Sequence, residues 1–208
     1  MTERMSKLIS ISGDPISNEG VICPESWTGL KLELFDLLSK KNGFYAFESS
    51  LLVRALEKEG VPRSLEKWNA QNLWKETYRI DLPNLYFFAE DIFGGQFALT
   101  ESEVVSFDPE TGGIEVIGSS LEEWSDALLS DYDYFTGWSL ASEWQRMHGN
   151  IPPGYRLLPK RLFVLGGEFE VNNLTSVEEV KAMRSRGFFA TELKDVPDGG
   201  QISFELVD

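Results

Sequence analysis

The sequence predicts an α+β fold: a mainly antiparallel central sheet covered by helices, with a small appended C-terminal β-rich unit. Two observations carry this. Residues 85–117 hold four short strand-like runs in succession, at 85–89, 96–100, 104–107 and 114–117, and the last two flank a turn sequence, Asp108-Pro109-Glu110-Thr111-Gly112-Gly113. Amphipathic stretches at 30–38 and 121–129 stand on either side of this meander. A meander of this kind has an apolar face that helices must cover.

The elements follow in order. Residues 1–27 read as an irregular arm rich in Ser, Gly, Pro and Asn, with one candidate strand at 8–11. Leu30, Leu34, Leu37 and Leu38 recur at helical spacing, and Asn42-Gly43 stops the run. Residues 44–53 are apolar enough for core. A helix end at Gly60 and a loop over 60–64 come next. Residues 65–78 suggest a further helix whose Trp68 and Trp74 fit either packing or a binding platform. Ser120 with Glu123 forms a capping box, and behind it Leu121, Trp124, Leu128 and Leu129 share one face, leaving Glu122, Glu123 and Asp126 outside. Residues 131–138 form an aromatic, acidic loop, in which Tyr134, Phe135 and Trp138 suit a core plug and Tyr132 an exposed contact. Residues 138–148 make a helix closed by Gly149.

Here, at residue 154, the 28–154 core ends and a C-terminal extension, 155–208, begins. Within it, 161–165 and 168–171 read as strands joined by Gly166-Gly167. Thr175 with Glu178 caps a helix that ends at Gly187. Residues 188–193 and 201–207 suggest strands paired across Pro197-Asp198-Gly199-Gly200.

A chain of 208 residues can bury a core large enough to need no covalent staple. Its single cysteine, Cys23, cannot form an internal disulfide, which points to a reducing, cytoplasmic home. No apolar run is long enough to span a membrane, so neither secretion nor a membrane anchor is expected. The net charge is -15 and it is unevenly placed: between Arg79 and Arg146 there is no Lys or Arg, while 14 acids fall in that interval. Such a field repels phosphate backbones and attracts basic surfaces. Direct nucleic-acid binding is therefore not expected.

No catalytic constellation can be assembled from these residues. The single histidine, His148, stands at a helix end, where the dipole favours it. Cys23 beside Pro24 has no nucleophile motif around it. Glu90-Asp91 could imitate an acid pair, but adjacent strand residues point to opposite faces. Gly94-Gly95 and Gly166-Gly167 begin no phosphate-binding sequence and read as turns. The expectation is a protein with no catalytic residues, no metal and no cofactor. An unmarked acid-dependent hydrolase is the remaining enzymatic reading.

One resemblance covers residues 28–135. Phe87-Phe88-Ala89-Glu90-Asp91, then Gly94-Gly95-Gln96-Phe97-Ala98-Leu99, then Val105-Ser106-Phe107-Asp108-Pro109-Glu110-Thr111-Gly112, and finally the stretch from Ser119 to Trp124 together resemble the SUKH superfamily. Lys41-Asn42-Gly43-Phe44-Tyr45-Ala46-Phe47-Glu48-Ser49 is similar to its bacterial members. The family includes bacterial immunity proteins and a yeast regulator of cell-wall synthesis. The resemblance implies a non-enzymatic protein-binding module that neutralises a cognate protein toxin, and the acidic segment suits a basic, nuclease-like one. The alternative it implies is a regulatory scaffold for endogenous cell-wall or signalling proteins. The expected protein-binding residues are Glu122, Glu123, Asp126, Asp131, Tyr132 and Asp133.

Overall fold

The structure is a computed structural model that describes residues 2–56, 63–79, 82, 84–194 and 196. Its main sheet has seven strands, each hydrogen-bonded to the next in sequence: β1 (Pro15–Ser17), β2 (Asn42–Ala46), β3 (Leu51–Val53), β4 (Tyr86–Glu90), β5 (Gln96–Leu99), β6 (Val104–Phe107) and β7 (Ile114–Gly118). All six pairings are antiparallel. The four expected runs become β4 to β7, and the fold class is the α+β one expected.

Both faces of this sheet are covered. Phe88, Phe97, Leu99 and Val104 on one face pack under α1 (Glu3–Ile11), α2 (Leu30–Lys40) and α4 (Leu121–Ser130). On the other, Phe87, Ala98, Val105 and Phe107 meet Trp68, Trp74 and Tyr78, together with Met183 and Ala190 of α7 (Glu179–Leu193). Strict alternation would send Phe88 and Ala89 to opposite faces. A register shift between Phe87 and Ala89 lets both join the first core. Trp68 and Trp74 are fully buried, which settles them as packing residues.

Several sequence expectations are corrected. The arm is not irregular throughout: it forms α1 and the edge strand β1, and 8–11 is helical. Residues 65–78 hold only one helical turn, α3 (Leu65–Trp68), and a 3-10 turn at Lys75–Thr77. The 131–138 loop contains a short helix, α5 (Tyr132–Thr136), capped by Asp131, which accepts from the Tyr134 amide at 3.1 Å. The helix α6 (Trp138–His148) stands as expected.

In the extension, 161–165 and 168–171 are not strands; 3-10 turns occupy Phe163–Leu165 and Val171–Asn173. The two strands are instead β8 (Tyr155–Pro159) and β9 (Leu174–Glu178), paired with each other. Thr175 lies within β9, and the cap of α7 is Glu178, whose carboxylate accepts from the Val180 and Lys181 amides. This helix runs through Gly187 to Leu193, so 188–193 is helical. A Cβ at Gly187 would stand 2.8 Å from the Tyr78 ring, and the glycine serves close packing instead of a stop. The expected features at 57–60, 197–200 and 201–207 lie outside the described residues.

Candidate protein-binding site

Two turns shape one end of the sheet. Between β4 and β5, Asp91 Oδ1 accepts from the Phe93 and Gly95 amides, both at 2.8 Å, and Gly94 takes the left-handed conformation the turn requires. Between β6 and β7, Asp108 accepts from the Glu110 amide at 2.8 Å and from the Thr111 hydroxyl at 2.7 Å. The Tyr78 hydroxyl donates to the Pro109 carbonyl at 2.9 Å and holds that turn against the body.

The segment 161–170 folds over the same end. Phe163 stacks on Phe169 with centroids 3.9 Å apart, and the edge of Phe93 meets Phe163. Glu110 ties the two segments: its Oε2 accepts from the Val164 amide at 2.9 Å, while its buried Oε1 has no hydrogen-bond partner among the described residues. With α5 and the start of α6, these elements enclose an open groove of about 940 Å³.

The groove combines apolar and acidic walls. Phe163, Phe169, Val116 and Tyr134 supply apolar surface, and Asp91, Asp108, Glu110, Glu115 and Asp133 supply carboxylates. Among the described residues its one cation is Arg186, which is 2 % exposed and already donates to the Phe93 carbonyl. Burial raises Asp91 to about 7, and the two turn amides and Arg186 oppose that only in part. Burial likewise raises Glu110.

Behind the groove lies a buried ion cluster. Glu90, fully buried, accepts from Arg54 at 2.8 Å, Arg156 at 2.6 Å and Gln96 at 2.9 Å. Glu179 of α7 takes Arg54 at 3.2 Å and Arg63 at 3.1 Å, and Arg63 also pairs with Glu178. The Arg54 guanidinium lies 3.4 Å from the centroid of the Trp68 ring. Burial disfavours the Glu90 charge, but Arg54 and Arg156 outweigh it and hold the carboxyl down at about 2. Glu90 has no exposed surface, and the cluster works as a clasp: Arg156 on β8 and Glu179 on α7 join the C-terminal unit to Glu90 of β4 and to Arg54, which follows β3.

The expected contact residues scatter. Glu122 is not free, because it accepts from the Arg4 amide at 3.1 Å, the Met5 amide at 3.2 Å and the Thr2 hydroxyl, and so caps α1. Asp126 pairs with Arg4 at 2.8 Å. The expectation that both lie uncovered is thus corrected, since α1 packs over them. Glu123 is exposed and accepts from the Ser119 amide and hydroxyl, while its own amide donates to Ser120 Oγ. Asp131 caps α5, and Asp133 accepts from the Ser139 amide at 2.7 Å at the start of α6. Tyr132, 39 % exposed, stacks on Phe47, whereas Tyr134, expected to plug the core, is 75 % exposed. Of the six, only Asp133 lines the groove. Sequence reasoning missed Asp108, Glu110 and Glu115 as groove residues, although the turn signal had already placed Asp108 and Glu110 at a strand end.

Among the described residues no group of His, Cys, Asp and Glu could hold a metal ion, and no helix is long and apolar enough to cross a membrane. His148 is the last residue of α6, beside Trp144, and Cys23 is a free thiol.

No family model and no curated protein sequence matches the chain. Among solved structures, Atu4351 from Agrobacterium tumefaciens is similar, with a TM-score of 0.61 at 14% identity over 90% of this chain and 89% of that one. A likeness at this identity is one of fold.

Proposed function

We propose that the chain is a non-enzymatic protein-binding module that neutralises a basic toxin, acting as an immunity protein. One observation carries this reading: among the described residues the groove gathers five acidic side chains beside stacked aromatic surface, against one arginine that is buried and engaged. Aromatic anchors beside like charges suit a partner of opposite sign, which the field steers to the surface. Toxins that cut nucleic acids carry basic surfaces to hold phosphates, and these would meet such a groove. The SUKH resemblance of residues 28–135 supports the immunity role, and the acidic interval between Arg79 and Arg146 supplies the field.

The test is capture from native lysate at low and high salt, with wild type and a groove-neutralised variant. Asp108→Asn keeps the acceptor for the Glu110 amide and Asp133→Asn the one for the Ser139 amide while removing charge, and Glu115→Lys reverses a carboxylate exposed on β7. One basic partner should be recovered, weakened by salt and by about tenfold or more in the variant. Recovery only of synthesis or signalling proteins, indifferent to salt, would replace this reading with the scaffold one.

A further inference from the structure

Strand β7 closes one edge of the main sheet, and among the described residues no strand pairs with its outer side. The phase of its ladder is readable. The Asp108 amide donates to the Gly113 carbonyl at 2.9 Å, and the Ser106 hydroxyl reaches the Glu115 carbonyl at 3.5 Å. In an antiparallel pair alternate residues turn both N–H and C=O toward the partner. Gly113 and Glu115 therefore face β6, and Ile114 and Val116 present their backbone groups outward. Their side chains are exposed too, at 48 % and 61 %.

The two sheet edges differ in protection. Strand β1 has three residues and begins with Pro15, two of the devices by which sheets avoid adding strands. Strand β7 reads Ile114-Glu115-Val116-Ile117-Gly118, with neither proline nor lysine, and its register shift against β6 falls after Val116, so residues 114–116 keep a regular edge. It borders the acidic groove, to which Glu115, Val116 and Ile117 contribute.

Resting on the function proposed above, we infer that β7 is a docking strand that takes an extended segment of the basic partner by strand addition. The alternation of β7 sets the segment's pattern. Positions beside Ile114 and Val116 take apolar side chains, and the position between them, beside Glu115, takes Lys or Arg. A second copy of this chain is the poorer occupant, since each copy carries a net charge of -15.

The probe is a labelled synthetic peptide of alternating Val and Lys, set against a peptide of the same composition with the lysines in one block and against an alternating Val-Glu peptide, by fluorescence anisotropy on the full chain. The Val-Lys alternating peptide should bind best. Val116→Pro removes an outward N–H and leaves the Glu115 bonds to β6 intact, so binding should fall about tenfold with the circular dichroism and melting temperature preserved. Glu115→Lys should shift preference to the Val-Glu peptide. The inference is overturned if the folded Val116→Pro chain binds as wild type, or if the blocked peptide binds equally. It is also overturned if sedimentation shows a dimer that Val116→Pro dissolves. Capture of the basic partner by Val116→Pro at full yield would remove the docking strand and leave the groove reading standing.

Discussion

Replacing Glu90 by Gln tests whether the buried ion cluster holds the C-terminal unit in place. The carboxylate serves Arg54 at 2.8 Å, Arg156 at 2.6 Å and Gln96 at 2.9 Å, and both arginines are about 2 % exposed. Glutamine offers one acceptor oxygen where three donors converge, and its own NH2 adds a fourth donor. Arg54 would keep Glu179, which Arg63 already engages, while Arg156 would lose the carboxylate it pairs with. Removing one partner of a buried pair costs about 3–5 kcal/mol, and the retained Glu179 places this case near the lower end, about 3 kcal/mol. At roughly 2–4 °C per kcal/mol for a chain of this size, the melting temperature should fall by about 6–12 °C. Urea unfolding followed by the fluorescence of the buried Trp68, Trp74 and Trp124 measures the change. Hydrogen exchange should speed first in β8, β9 and α7, which the clasp attaches. A loss under about 1 kcal/mol, or exchange that rises evenly through β4 to β6, would refute the clasp.

Glu122→Ala strips the first-turn amides of α1 of their acceptor and should cost about 1 kcal/mol, with faster exchange confined to α1. Asp126→Ala, which breaks a half-exposed pair with Arg4, should cost less than about 1 kcal/mol. The pH profile of stability should carry two opposite signs. Glu90 is held below its unfolded value, so its contribution is present above roughly pH 4.3 and is lost as pH falls toward about 2. Asp91 is raised to about 7, so its contribution is complete below roughly pH 3.9 and is lost as pH rises through about 7, with a slope of at most about 1.4 kcal/mol per pH unit. Asp91→Asn keeps the acceptor of the turn and should flatten the decline between those values in urea titrations taken at successive pH.

The parts of the fold that were legible are those whose signals are local. The runs that became β4 to β7 are bounded by turns whose residues make the turn, as Asp108 does through its own carboxylate. The cap of α4 at Ser120 is equally local. By contrast, α1 was hidden because Thr2 makes no side-chain cap and the carboxylate that serves its amides comes from Glu122, far along the chain. Gly187 misled because a glycine ends helices by its backbone freedom, whereas here it admits Tyr78 to the face of α7. Thr175 and Glu178 imitated a capping box, but β8 pairs through Leu158 with Thr175 and keeps it in a strand.

The acidic interval was visible as composition, yet composition does not say which carboxylates stay free, and the structure sorts them by what each one touches. Glu90 is neutralised by two arginines supplied from outside the interval, Arg54 and Arg156. Glu122 and Asp126 are engaged by α1. Asp91, Glu110 and Glu115 gather with Asp108 and Asp133 at the end of the sheet, where the first two are driven toward the neutral form by burial. Asp91, raised to about 7, therefore adds charge to the groove as pH rises through that value. If a basic partner binds there, its affinity should strengthen between pH 6 and 8 in wild type and do so less in Asp91→Asn, because the variant lacks the charge gained across Asp91's titration. A partner whose binding is flat with pH in both chains would show that Asp91 lies outside the contact, whatever the rest of the groove does.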